Sequence, residues 1–249
     1  MRETVKYSGS THVGNVRTNN EDSFFLADYA GDGFFYCALA DGMGGHSHGE
    51  LASKLAIDYT RERLQTALAN DGQLPEDMES LLTEIVQKAN VKVYLGSLEQ
   101  EDTLGMGTTL TILVLTDTDI WLAHVGDCRA YLYRDHELRQ QTVDQTLVQE
   151  MLDAGSLTQE EVVGHPKRNV LTQALGIPEF LQPEIVRIPR QKHDRLLLCS
   201  DGLYGQVSNE EIKSVMKKYK EPADAVSQLI QLALDQGGED NITVLVISA

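Results

Sequence analysis

Four carboxylates stand where apolar runs stop. The run Phe34 to Ala40 ends in Asp41-Gly42, Arg195 to Ser200 ends in Asp201-Gly202, Trp121 to Gly126 ends in Asp127, and Asp240 immediately precedes the run Ile242 to Ile247. A short carboxylate at the end of a strand is held rigidly, and four of them brought together would repel strongly unless cations lay between them. Hard oxygen donors without Cys, and without an obvious His set, suit Mg2+ or Mn2+ rather than Zn2+. The glycines serve the same chemistry, because a residue without a side chain lets its backbone carbonyl approach an ion that the neighbouring carboxylate holds. A single Asp-Gly marks no more than a turn. Its repetition at apolar strand ends is what points to a metal centre.

The elements that must position these groups follow from the periodicity. Runs at about 23–28, 34–40, 107–116, 119–125, 128–134, 170–174, 184–188, 195–200 and 241–248 read as strands. Several are apolar at nearly every position, which predicts strands covered on both faces, as in two stacked sheets with helices outside. Ser47 and Glu50 form a capping-box pattern before the stripe Ala52, Leu55, Ala56, Tyr59, and Leu82, Ile85, Val86, Ala89 and Val93 make a second stripe. Ser208 with Glu211, and then Pro222, open two further helices near the C-terminal end. Residues 144 to 180 differ: short helical pieces lie among Gly, Pro and charged residues, which predicts a flap or semi-independent subdomain. With no linker, low-complexity tract or repeat, one domain over residues 1–249 is the expectation.

Charge and composition exclude some partners. The chain has 249 residues and a formal net charge of −17, the reverse of what phosphate backbones or anionic lipid surfaces require, so neither nucleic acid nor membrane is expected as a partner. No window approaches the roughly 18 consecutive apolar residues of a membrane span, and the segment Met-Arg-Glu-Thr-Val-Lys has no signal-peptide core, so a cytoplasmic location is expected. Cys37, Cys128 and Cys199 are an odd set in apolar surroundings without CxxC spacing, which favours buried thiols over a disulfide or zinc site.

Six segments, in order, then carry a resemblance: Gly14-Asn15-Val16-Arg17-Thr18-Asn19-Asn20-Glu21-Asp22, Asp41-Gly42-Met43-Gly44-Gly45-His46, Gly105-Met106-Gly107-Thr108-Thr109, Val125-Gly126-Asp127-Cys128-Arg129, Ser200-Asp201-Gly202-Leu203 and Gly237-Gly238-Glu239-Asp240-Asn241-Ile242-Thr243. Together they resemble the motifs of the metal-dependent, type 2C (PPM-type) protein serine/threonine phosphatases, most closely the compact bacterial members. The resemblance implies an α+β fold, a four-layer αββα sandwich of two mainly antiparallel sheets flanked by helices, with a flap at about 144–180. It implies two Mn2+ or Mg2+ ions per chain, a third, weaker ion site, and hydrolysis of phosphoserine and phosphothreonine by a metal-bridging water without a phosphoenzyme. It also implies phosphoprotein substrates that include a Ser/Thr kinase and its targets, and a monomer.

By the same resemblance Asp41 bridges both ions, Gly42 lends its carbonyl to one, and Asp201 and Asp240 complete the other. Glu21 and Asp22 act through metal-bound waters, Asp127 joins Asp201 at the third ion, and Arg17 binds the phosphate through its paired donors. Three carboxylates, two divalent ions and Arg17 leave two net positive charges, matched to a phosphate dianion. The chain departs from the common pattern at three places. Met43 replaces a histidine that could protonate the leaving alkoxide, Cys128 replaces a serine, and Gln145 replaces a histidine. His46 is then the nearest candidate general acid, with a structural cap of the glycine turn as the other reading. A catalytically silent phosphoprotein adaptor and a hydrolase of small phosphoesters are the competing classes.

Overall fold

The computed structural model describes residues 5–27, 34–44, 48–68, 77–99, 103–162 and 164–248. Among them two antiparallel sheets are stacked face to face. One sheet holds, in spatial order, β1 (Lys6–His12), β11 (Ile242–Ser248), β10 (Arg195–Cys199), β7 (Arg129–Arg134) and β8 (Glu137–Gln140). The other holds β2 (Asp22–Leu26), β3 (Phe35–Met43), β5 (Leu110–Leu115), β6 (Asp119–Val125) and β9 (Glu184–Pro189), with the short β4 (Gly107–Thr108) paired to the end of β3.

The nearly continuous apolar character of these strands is resolved by their two-residue period. In β3, Phe35, Cys37 and Leu39 point between the sheets, where they meet Leu132, Leu196, Leu198, Leu245 and Ile247 of the opposite sheet. The intervening Tyr36, Ala38 and Ala40 point outward onto α1 (His48–Leu68) and α2 (Met78–Ser97), against Leu64, Leu82, Ile85 and Val93. The other sheet repeats the arrangement, turning Tyr131, Leu197, Cys199, Val244 and Val246 onto α6 (Asn209–Lys218) and α7 (Pro222–Asp235). The layers are therefore helices, sheet, sheet and helices, as expected from strands apolar on both faces.

Local chemistry sets the helix ends. Asp77 accepts a hydrogen bond from the Ser80 amide at 2.9 Å at the start of α2, Ser208 and Glu211 close a reciprocal capping box on α6, and Pro222 occupies the first turn of α7. The capping pattern proposed for α1 involves Ser47, which lies outside the described residues.

Two strands were not expected from the sequence. β1 and β8 are sheet-edge strands with largely exposed, polar residues, so they lack the apolar signal. Conversely, residues 170–174 do not form a strand. Single bridges join Thr146 to Leu171 and Thr108 to Leu175, and the Asn90 side chain accepts from the Gly176 amide at 2.7 Å and donates to the Ile177 carbonyl at 3.0 Å. Within residues 144–180, α3 (Leu147–Asp153) is capped by Thr146, followed by α4 (Gln159–Val162). Among the described residues no helix is long and apolar enough to cross a membrane.

Candidate active site

The carboxylates anticipated at strand ends converge. A cavity of about 230 Å³ at one end of the sandwich is lined by Arg17, Glu21, Asp41, Gly42, Asp127, Asp201 and Asp240. Asp41 comes from the last turn of pleat in β3, Asp127 from the loop after β6, Asp240 from the loop before β11, and Asp201 from the first residue of α5 (Asp201–Tyr204). Asp201 thus begins a short helix directly after β10, which an apolar run followed by Asp-Gly did not reveal. Asp22 does not line the cavity. It is buried behind Asp41, its partner across the β2–β3 register, and its Oδ2 accepts from Thr243 at 2.6 Å and Ser200 at 2.8 Å.

Crowding marks these groups electrostatically. Burial first, and then the charges of Asp22, Asp201, Asp127 and Asp240, push the Asp41 carboxyl well above the ordinary carboxylate range. Burial pushes Asp22 up to about 7 against the opposing hydroxyl bonds, and pushes Asp127 up to about 8 with help from Asp201 and Asp144. Asp201 is pushed up to about 6 by burial and by Asp240, with Arg17 and Arg168 pulling the other way. Glu21 is raised chiefly by burial.

The loop that carries Arg17 and Glu21 is riveted to the loop that carries Asp240. The Asn241 side chain donates to the carbonyls of Val13 and Asn19, both at 2.9 Å, and accepts from the Glu21 amide at 2.8 Å. Gly14 has φ +85, and a Cβ there would lie 2.3 Å from the Asp240 carbonyl oxygen, so only glycine permits this approach. Arg17 Nη2 donates to Asp240 Oδ2 at 2.7 Å across the seam. On the other side, Gly42 is pressed against the start of α1: a Cβ at Gly42 would lie 2.0 Å from the Gly49 carbonyl oxygen.

Part of a supporting ring escaped the sequence reading, because Thr109, Asp144 and Tyr204 are brought to Cys128 and Gln145 only by the fold. Thr109 accepts from the Asp41 amide at 2.8 Å, and its hydroxyl lies 3.2 Å from Cys128 Sγ. Gln145, at the position where a histidine is usual, accepts from the Gly126 amide at 2.8 Å and so steadies the turn into Asp127. Arg129 grips Asp144 through Nε at 2.9 Å and Nη2 at 2.7 Å, stacks over the Tyr204 ring at 3.6 Å, and Tyr204 donates to the Asp127 carbonyl at 2.9 Å. The departures at 128 and 145 are thus packing and positioning contacts. Cys37, Cys128 and Cys199 are all free and buried, and burial raises each thiol pKa, that of Cys199 to about 12, so none is primed as a nucleophile. His46 lies outside the described residues.

The donor set fits hard divalent cations. It offers carboxylates that repel one another and a carbonyl at Gly42 whose setting admits no side chain, and Asp22 Oδ1 is a buried oxygen with no hydrogen-bond partner among the described residues. Also among the described residues, no three His, Cys, Asp or Glu side chains are drawn close enough to enclose an ion by themselves. Beside this cavity a groove of about 580 Å³ is lined by Asp127, Asp201, Tyr204, Val148, Gln149 and Arg168.

Comparison with known proteins agrees with this geometry. The pattern of the protein phosphatase 2C family matches residues 8–236. The serine/threonine phosphatase stp of Listeria monocytogenes is 36% identical over 239 residues, covering 95% of this chain and 93% of that protein. The serine/threonine protein phosphatase PstP of Mycobacterium tuberculosis is 41% identical over 244 residues, covering 97% of this chain and 44% of that longer protein. A crystal structure of the catalytic domain of PstP in complex with 2 manganese ions superposes with a TM-score of 0.83 at 38% identity, covering 98% of this chain and 97% of that one. The chain belongs to the protein phosphatase 2C family. It is a metal-dependent phosphatase on the two-sheet sandwich described above.

Proposed function

We propose that this chain removes phosphate from phosphoserine and phosphothreonine in proteins, as a single domain over residues 1–249 with 144–180 as its flap. The observation that carries the reading is the convergence of Arg17, Glu21, Asp41, Gly42, Asp127, Asp201 and Asp240, from widely separated stretches of chain, on one cavity. Asp41, the Gly42 carbonyl, Asp201 and Asp240 hold two Mn2+ or Mg2+ ions. When bound, these ions supply an acidified water for in-line attack and screen the charge that develops on the phosphoryl oxygens. Glu21 orients water at the cavity rim, and Asp22 acts from behind Asp41, through water and through the Thr243 and Ser200 hydroxyls that fix its carboxylate. Asp127 and Asp201 together accept a third, weaker ion.

Arg17 is the phosphate anchor. It lines the cavity, where Nη2 donates to Asp240, and a guanidinium's remaining donors suit phosphoryl oxygens, which supports this reading. No side chain of the chain serves as a nucleophile, consistent with three fully buried thiols whose pKa values burial raises. His46 is retained as the candidate proton donor to the leaving alkoxide. The groove beside the cavity accommodates the polypeptide around the phosphoresidue, which favours a protein substrate over a small phosphoester. The substrates include a Ser/Thr kinase and its targets, and the enzyme acts as a monomer in the cytoplasm.

Phosphate release from a phosphothreonine peptide, measured with Mn2+ and with chelator, tests the activity: release in manganese and none in chelator is expected. Absence of manganese-dependent release would refute it. For the site, Asp201→Asn and Asp240→Asn should each remove nearly all turnover and weaken Mn2+ binding by calorimetry. Unchanged binding in both variants would contradict the ligand assignment.

A further inference from the structure

The catalytic cavity lies where β10 and β7 are closest to Asp201 and Asp127. At the opposite end of the same sheet, roughly 20 Å away along the six residue steps from Arg195 to Asp201, opens a larger cavity of about 760 Å³. Its wall contains five lysine and arginine side chains against two carboxylates, on a chain whose formal net charge is −17. Arg134 clamps one of those carboxylates, Asp194, through Nε and Nη2, both at 2.7 Å, and Lys6 is held by Glu221 at 2.7 Å. With Lys6 and Arg134 paired and Lys192 engaged in a contact of its own, the cations that remain in this wall are Arg195 and Lys220.

Arg195 is the telling member. It opens β10, is only 7% exposed, and lines the cavity. Its Nε donates to Ser248 Oγ at 3.3 Å and its Nη1 to the Met216 carbonyl, while Nη2 is buried with no hydrogen-bond partner among the described residues. No carboxylate among the described residues forms an ion pair with it. Burying a guanidinium without a direct ion-pair partner is unfavourable, and burial lowers its pKa from the usual arginine value against the smaller, opposing influence of Tyr133 and Glu221.

The backbone of the same wall is strained in a way that favours particular side chains. Among the described residues, the non-glycine residues with positive φ are Asp135 (+52), His136 (+66) and His193 (+70), and all three line this cavity. Asp135 and His136 form the two-residue turn between β7 and β8, a type I′ geometry whose second position favours glycine. His193 is the third residue of the turn closed by the Asp194 amide on the Gln191 carbonyl at 3.3 Å, where a positive φ again favours glycine. Two turns thus place an imidazole in a slot that backbone conformation alone would give to glycine, and both imidazoles border one basic cavity. Strain of this kind persists where the side chain has a use.

We propose that this cavity is a second anion site, distinct from the catalytic centre, that takes a small phosphate-bearing molecule with at least two negative charges. A volume of about 760 Å³ is that of a pocket for a whole small molecule rather than a single ion. The Arg195 fork, the Lys220 ammonium and the imidazoles of His136 and His193 are donors suited to phosphoryl oxygens.

The test is calorimetric titration of the full chain with pyrophosphate at low ionic strength in the presence of chelator, with inorganic phosphate and citrate as comparison ligands. One-to-one binding of pyrophosphate is expected, tighter than that of phosphate or citrate. Loss of a charge-assisted contact should weaken it about tenfold in Arg195→Met and severalfold in His193→Gly, whereas Arg17→Ala leaves it unchanged. His193→Gly also relieves the turn, so its thermal midpoint should not fall, which separates lost binding from lost structure. If Arg195→Met does not fold, Lys220→Gln with His193→Gly carries the comparison. Absence of binding, binding lost in Arg17→Ala instead, indifference to all the cavity variants, or equal affinity for citrate would each overturn the proposal.

Discussion

His124 offers the cleanest link between a buried group and a measurable stability. It sits in β6, completely enclosed, with Nε2 donating to the Gly126 carbonyl at 3.0 Å and Nδ1 accepting from the Thr111 hydroxyl at 2.9 Å. The carbonyl can only accept, so Nε2 carries a proton, and burial favours the neutral ring, whose Nδ1 then accepts from Thr111. Burial pushes its pKa down to about 4, outweighing Asp144 and the backbone bonds, which act in the opposite direction. In the unfolded chain the same group titrates near 6.5, so between those values the unfolded state binds the extra proton and stability falls as pH falls through this window. Linkage between pKa values of about 6.5 and 4 gives a loss of about 2 kcal/mol on going from pH 7 to pH 5. The buried carboxylates also titrate here, with raised values and hence the opposite sign, so the total pH dependence does not isolate the histidine. A His124→Gln variant does, because its amide keeps a donor for the Gly126 carbonyl while removing the titration. Denaturant melts of both proteins in chelator at pH 7 and pH 5 should show the stability gap between them narrowing by about 2 kcal/mol. A gap independent of pH would refute the neutral, buried assignment.

Gly42→Ala should destabilise the metal-free protein by more than about 2 kcal/mol in thermal or denaturant melts, because its methyl would meet backbone rather than a side chain that could move; a midpoint unchanged from the parent would show that β3 and α1 separate easily. Arg17→Ala should raise KM for a phosphopeptide about tenfold or more while changing Mn2+ affinity far less, and a change confined to metal affinity would remove Arg17 from phosphate binding. Phosphopeptides flanked by Lys or Arg should have severalfold higher kcat/KM than acidic ones at low salt, with the difference shrinking at high salt, given the net charge of −17. Faster turnover of the acidic peptides would contradict this.

The chemistry of the site was legible in the sequence where it is local, and illegible where it depends on convergence. Asp41, Asp127, Asp201 and Asp240 are recognisable because strand ends and glycines accompany them, and the two-faced apolar strands announce the four layers. β1 and β8 are invisible to that reasoning because a sheet edge needs no apolar face, and residues 170–174 mislead it because Leu171 and Leu175 are anchored as isolated bridges rather than as a ladder. Thr109, Asp144, Gln145 and Asn241 carry no sequence mark of their positioning roles. Asn241 shows why: its three partners lie in residues 13–21, and nothing local to position 241 announces them.

That rivet between Asn241 and Glu21 spans 220 positions of the chain. A growing polypeptide therefore cannot assemble the cavity until its last donor, Asp240, and the β11 strand behind it have left the ribosome. At about 5–20 residues per second this keeps the nascent enzyme silent for roughly 10–50 seconds. A phosphatase so arranged cannot act on neighbouring phosphoproteins in a half-made state.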